Sequence, residues 1–155
     1  LLGKALSGGV MPISAVLASH EVMGVFTPGS HGSTFGGNPL ACAVATAALE
    51  VLRDESLAEN AQLQGTLLLE GLRRLQTERP DVLVEVRGKG LLIGLVMNKQ
   101  KSPVDAWALC LKLMDAGLLA KPTQETIVRL APPLTITSDQ AKEQLDIICG
   151  VIKGL

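Results

Sequence analysis

The sequence predicts an α/β chain in two parts: a short opening part over residues 1–54 and a small α+β unit over residues 55–155. Two observations carry this. From Leu57 onward, apolar residues recur at helical spacing and then in short β-rich runs, in the order α-β-β-α-β-β-α. Three helices and a small antiparallel or mixed sheet of that order pack as one two-layer unit. Ahead of them, the turn-forming stretch Thr27–Pro39 is followed by a well-capped helix that joins the two parts.

The elements follow in order. Leu1-Leu2 read as the end of a buried strand, and Pro12–Ala18 (PISAVLA) as a second, short one. Ser19–Phe26 allows one or two helical turns. Thr27–Pro39 (TPGSHGSTFGGNP) holds four of the sixteen glycines, so no regular element crosses it. Asn38 is a good N-cap and Pro39 a good first helical residue. Leu40, Val44, Ala47, Ala48 and Val51 then mark the inward face of a helix running to about Arg53. Ser56 and Glu59 form a capping-box pair for the next helix, with Leu57, Ala61, Leu68, Leu72 and Leu75 inward and Pro80-Asp81 as its stop. Val82–Val86 and Leu91–Val96 read as strands joined by a turn at Arg87-Gly88-Lys89-Gly90. Ser102-Pro103 opens a helix with Trp107, Cys110, Leu111 and Met114 on one face and Gly117 as its C-terminal stop. Leu118–Ala120 and Thr126–Leu130 are short strands, the second ended by Pro132-Pro133. Thr137 or Ser138 caps a last helix with Ala141, Leu145, Ile148 and Ile152 inward.

Composition narrows the function. With 155 residues, 47% of them hydrophobic, the chain can build a core, and its net charge of −1 gives no reason to expect nucleic acid or an anionic membrane as partner. No apolar run approaches the roughly 20 residues of a membrane span. Cys42, Cys110 and Cys149 are odd in number, far apart and set in apolar helical contexts. They read as buried free thiols in a reducing compartment, with neither a disulfide framework nor a metal site. Phe26, Phe35 and Trp107 are the only aromatics, too few for a base-stacking platform. The chain lacks an initiator Met and opens inside a strand-like run. A longer polypeptide is therefore expected, and the absence of a targeting segment carries no information.

Three features carry possible chemistry. Lys4 follows two leucines and lies among Gly3, Ser7, Gly8 and Gly9. A lysine at the mouth of an apolar strand can face a pocket, lose solvent and act as a nucleophile. The alternative is a solvated lysine in a turn; no GxxxxGK[ST] pattern makes it a phosphate loop. His31-Gly32-Ser33-Thr34-Phe35-Gly36-Gly37 offers hydroxyls and backbone N–H groups to an anion, or is a plain surface loop ahead of a helix. Arg129, inside the apolar run Thr126–Ala131, either grips a carboxylate bidentately or makes an internal ion pair.

The motifs LLGKALSGG, PGSHGSTFGGNPLACAVA, VRGKGLLIGLV and IVRLAPPLTIT, in that order, resemble class III, pyridoxal-phosphate-dependent aminotransferases of fold type I. The resemblance covers nearly the whole chain. It implies an α/β fold: the end of a large cofactor domain and linking helix over residues 1–54, and a small C-terminal α+β domain over residues 55–155. Lys4 aligns with the lysine that bonds covalently to pyridoxal 5'-phosphate and later moves the substrate proton. Thr34 aligns with the threonine that reaches the phosphate of a neighbouring subunit's cofactor, with Ser33 beside it as a second candidate. Arg129 aligns with the arginine that takes the substrate α-carboxylate. The segment GLLAKPT resembles the branch of the family that works on L-ornithine and 2-oxoglutarate. Acetylornithine or another ω-amino acid is the alternative donor, and a non-catalytic dimerisation piece the alternative of another class. The implied partners are small amino and 2-oxo acids and a second copy of the chain, in the cytoplasm or, in a eukaryote, the mitochondrial matrix. The family's partner for the pyridine nitrogen lies upstream of these residues. The chain alone is accordingly expected to be inactive and, with apolar surface uncovered, prone to self-association.

Overall fold

The computed structural model describes residues 1–155, which divide into two compact units, Leu1–Ser56 and Leu57–Leu155.

The second unit has the element order read from the sequence. Helix α3 (Leu57–Glu78) leads to strands β1 (Leu83–Lys89) and β2 (Leu92–Met97). Helix α4 (Ala106–Asp115), strands β3 (Lys121–Thr123) and β4 (Ile127–Leu130) and helix α5 (Ser138–Lys153) follow. The four strands form one sheet, order β1-β2-β4-β3, antiparallel throughout. Val86, Leu95 and Val128 share one register row, and all three are buried. This face joins Leu68, Leu72 and Leu75 of α3, Leu109 and Leu113 of α4, and Ile148 and Ile152 of α5 in a single core. Each such side chain contributes about 1.5–3 kcal/mol by leaving water. Two glycines of α3 let other elements come close. A Cβ on Gly65 would lie 2.2 Å from the carbonyl oxygen of Gly90, and one on Gly71 would lie 2.2 Å from Leu145 Cδ2.

Several boundaries differ from the sequence reading. The β1–β2 strands run on through Arg87, Gly88 and Lys89, and the chain reverses at Gly90-Leu91. Gly90, at φ +54°, supplies the left-handed residue of that tight turn. Leu118–Ala120 is not a strand. Leu118 completes the C-cap of α4: its N–H reaches the Leu113 carbonyl at 2.8 Å while that of Gly117 (φ +92°) reaches Met114 at 2.9 Å. The third strand therefore starts at Lys121. Helix α4 is capped by Asp105, whose carboxylate accepts from Ala108 N at 2.7 Å. Its buried stripe is Ala106, Leu109, Cys110 and Leu113; Trp107, Leu111 and Met114 are exposed, so of the expected face only Cys110 is inward. Thr137 caps α5 in a full capping box with Gln140. Arg79 forks onto Asp81 beside the end of α3, and that hydrogen bond holds the Asp81 carboxyl below its ordinary range.

The first unit has little interior. Its elements are a 3₁₀ turn at Lys4–Ser7, helix α1 (His20–Met23) and helix α2 (Pro39–Asp54). Ser19 caps α1, and Asn38 caps α2 by accepting from Ala41 N at 2.9 Å, with Pro39 in the first turn. Leu1-Leu2 and Pro12–Ala18 do not form buried strands; they touch through one antiparallel bridge, Leu2 to Ala15, with both leucines exposed. A single residue pair with no further neighbour cannot propagate a ladder. On α2 the covered positions are Ala41 and Ala45, and Leu40 and Val51 point outward. The small side is the one that meets the 3₁₀ turn, where a Cβ on Gly8 would sit 3.6 Å from Ala48 Cβ. Cys42 is exposed for the same reason. Ser56 does not cap α3. It sits at φ +50°, outside the extended region an N-cap needs, as part of a two-residue link between helices.

Candidate functional site

Lys4 opens the 3₁₀ turn and has φ +52°, one of three non-glycine residues in the left-handed region. Such a backbone costs about 1–3 kcal/mol and persists only where its surroundings impose it. Here the constraint is visible on both sides. The Leu2–Ala15 bridge pins the chain two residues before it through hydrogen bonds of 2.8 and 3.0 Å. Gly8 closes the turn behind it, donating to Ala5 O at 2.9 Å, and the buried Ser7 hydroxyl accepts from Met11 N at 3.2 Å. The turn is thus fixed from within, while the Lys4 side chain is exposed.

Ser33 and Thr34 lie in the glycine-rich loop. The Ser33 hydroxyl is engaged inside the loop, accepting from Gly36 N at 2.9 Å. Asn38 ties the loop to α2, its amide donating to Phe35 O at 2.9 Å. Thr34 stands exposed next to these two anchors, which makes it the better placed hydroxyl for an external anion. His31 lies against Phe26, ring centroids 5.7 Å apart. Arg129 is on β4, its side chain on the face opposite the core residues Val128 and Leu130. The internal ion pair allowed for it is not formed: the chain's ion pairs leave Arg129 out. Arg87 lies on β1 with its guanidinium 3.4 Å from Glu85.

These donors suit a particular chemistry. A primary amine on a rigid turn condenses with an aldehyde, a loop hydroxyl bonds a phosphate oxygen, and a guanidinium off a strand forks onto a carboxylate. Lys4 and Thr34 thereby fit the aldehyde and the phosphate of pyridoxal 5'-phosphate, and Arg129 fits an amino-acid substrate. Lys4 and Thr34 fall in the first unit, Arg129 in the second.

Comparison with known proteins gives the class, an aminotransferase. The chain belongs to the class-III aminotransferase family, whose sequence profile matches residues 1–152. Enzymes of this class use pyridoxal 5'-phosphate. Its relatives include the ornithine aminotransferase of Saccharomyces cerevisiae, 53% identical over 153 residues, which cover 98% of this chain and 36% of the relative. The mitochondrial ornithine aminotransferase of Rattus norvegicus is 55% identical over 148 residues, 96% of this chain and 33% of that protein. Among solved structures, an acetylornithine aminotransferase from Elizabethkingia anophelis superposes with a TM-score of 0.90 at 52% identity, over 99% of this chain and 38% of that one. The ornithine aminotransferase of Plasmodium yoelii gives 0.91 at 45% identity, over 99% and 40%. The chain thus spans about a third of the length of the curated relatives it matches. No helix is long and apolar enough to cross a membrane.

Proposed function

We propose that the protein containing this chain is an ornithine aminotransferase, moving the δ-amino group of L-ornithine to 2-oxoglutarate in a ping-pong reaction that yields glutamate 5-semialdehyde and glutamate. The observation that carries this reading is the lysine of LLGKALSGG, held on a strained turn, in a chain about half identical along its whole length to ornithine aminotransferases. Pyridoxal 5'-phosphate, when bound, supplies an aldehyde for the amino group and a ring that withdraws electrons. Lys4 Nζ is the amine that would hold the cofactor through that aldehyde and, as a free amine, would take the proton from the substrate carbon that bears the nitrogen. The fixed turn anchors the backbone from which that amine reaches. The Thr34 hydroxyl donates to a phosphate oxygen across a subunit interface, with Ser33 as its neighbour. The Arg129 guanidinium forks onto the substrate α-carboxylate. Residues 1–54 are the end of a large cofactor domain and 55–155 the small C-terminal domain of a homodimer. The mitochondrial Rattus norvegicus relative supports the mitochondrial matrix for a eukaryotic parent, though the Saccharomyces cerevisiae relative carries no such label, and a bacterial parent would work in the cytoplasm.

A second reading, acetylornithine as donor, is favoured by the 52% identity to the Elizabethkingia enzyme. One experiment separates them. The full-length protein with pyridoxal 5'-phosphate is expected to show a visible absorbance band that L-ornithine bleaches and 2-oxoglutarate restores. Lys4→Ala is expected to abolish the band. A band that ignores L-ornithine but bleaches with N-acetylornithine moves the assignment to the second reading. A band that survives Lys4→Ala removes Lys4 from the site.

A further inference from the structure

The sheet register places four residues in one row on the face away from the core: Arg87 opposite Gly94, Gly94 opposite Arg129, and Arg129 opposite Lys121. Directly opposed residues on antiparallel strands point the same way, with Cβ atoms about 4.5–5.5 Å apart. Lys121 and Arg129 are therefore like charges side by side, an arrangement that costs stability unless an anion lies between them. No acidic side chain of the chain supplies one: neither residue takes part in an ion pair. At the other end of the row Arg87 already has Glu85, at 3.4 Å. Between Arg87 and Arg129 the floor is Gly94. A Cβ there would touch Ile127 Cγ2 at 3.7 Å and Arg87 Cγ at 3.8 Å, ordinary contact distances, so the sheet has room for a side chain and lacks one. The result is a furrow in the row at Gly94, with two cations on its β3–β4 side that no ion pair within this chain engages.

We propose that Lys121 is the second cation of the carboxylate site: Arg129 supplies the planar fork, Lys121 the adjacent point charge, and Gly94 the open floor on which the substrate carboxylate lies. This rests on the reading of Arg129 as the substrate-carboxylate residue. Lys121 adds a Coulombic contribution that the bidentate fork does not saturate. In a solvent-exposed furrow that contribution amounts to about a fivefold change in affinity.

The test is a double-mutant cycle in the full-length holoenzyme, read by L-glutamate bleaching of the cofactor band. L-Glutamate carries the same α-carboxylate, and its half-reaction does not depend on ornithine being the donor. Lys121→Gln is expected to raise the half-saturating glutamate concentration about fivefold with the limiting rate within twofold, and Lys121→Arg to restore it. In an Arg129→Gln background, Lys121→Gln is expected to add less than twofold, because both cations act on one carboxylate. Gly94→Val, which fills the floor, is expected to raise the same concentration without lowering the melting temperature. The proposal is overturned if Lys121→Gln leaves glutamate saturation unchanged, if its effect is fully additive with Arg129→Gln, or if it lowers the melting temperature and nothing else. Normal glutamate bleaching with no response to L-ornithine would refute the donor assignment and leave the furrow intact.

Discussion

The three cysteines show how much one position on a helix decides. Cys110 is buried on α4, and burial pushes its thiol above the ordinary range; Cys149 on α5 is half-buried and shifted the same way. Cys42 sits on the open side of α2. Only the thiolate reacts, so the raised thiols are slow twice over, by access and by ionisation. In the isolated chain at neutral pH, a thiol reagent is expected to label Cys42 first and Cys110 only after denaturant is added. Mass spectrometry of the labelled peptides reads the order, and early modification of Cys110 would contradict the packing of α4. The sequence offered three equivalent cysteines in apolar helices; nothing in it says which face of α2 meets the 3₁₀ turn. Lys4 is a similar case. Its residue type and glycine neighbours are plain in the sequence, but its left-handed backbone follows from the Leu2–Ala15 bridge and the Gly8 closure. Nothing in the sequence marks Lys121 as a neighbour of Arg129, because the apolar run Leu118–Ala120 ends before it and the strand that pairs the two begins at Lys121.

At the scale of elements, stop signals were more legible than inward faces. Asn38-Pro39, Pro80-Asp81, Gly117 and Thr137 each end or begin a helix where their local chemistry says they should. These are decided by hydrogen bonds within a few residues. The buried stripes on α2 and α4 differ from the expected ones because amphipathic periodicity identifies an apolar side without saying what covers it. On α4 the larger residues Trp107, Leu111 and Met114 mark the exposed side. The close crossing of α3 by the β1–β2 hairpin belongs to this scale too. Gly65 meets the Gly90 carbonyl where a Cβ would stand 2.2 Å away, against backbone that cannot swing aside. Gly65→Ala is expected to destabilise the second unit by about 1–3 kcal/mol, the usual penalty for overpacking, despite alanine's better helix propensity. A urea titration followed by far-UV circular dichroism measures it; a gain in stability would mean the crossing is looser than described.

Across the whole molecule, the two units differ sharply in how much they bury. Residues 57–155 bury a continuous core drawn from three helices and three of the four strands. Residues 1–56 bury only Ser7, Ala41 and Ala45, and leave Val10, Leu17, Val25, Phe35 and Leu40 among the large apolar side chains open to solvent. A polypeptide of residues 57–155 is accordingly expected to unfold in a single cooperative thermal transition. Residues 1–56 alone are expected to show no such transition. Calorimetry of the two pieces checks both statements, and a cooperative transition in the shorter one would show a core that the burial pattern lacks. The order of helices and strands in the second unit is readable because it depends on periodicity and turn residues. The sparse interior of the first is not, because its composition is as apolar as that of a packed domain.

The strand order β1-β2-β4-β3 has one more consequence, for how this sheet avoids sticking to others. Its two borders are β1 and β3. The β3 border is three residues long, and Pro122 at its centre has no N–H to offer an incoming strand. The β1 border is longer but carries Glu85, Arg87 and Lys89, and its register shifts between Leu83 and Glu85. A foreign strand would meet a missing donor on one side and a kinked, charged ribbon on the other. Both borders of the sheet that presents Arg129 therefore resist the addition of another strand.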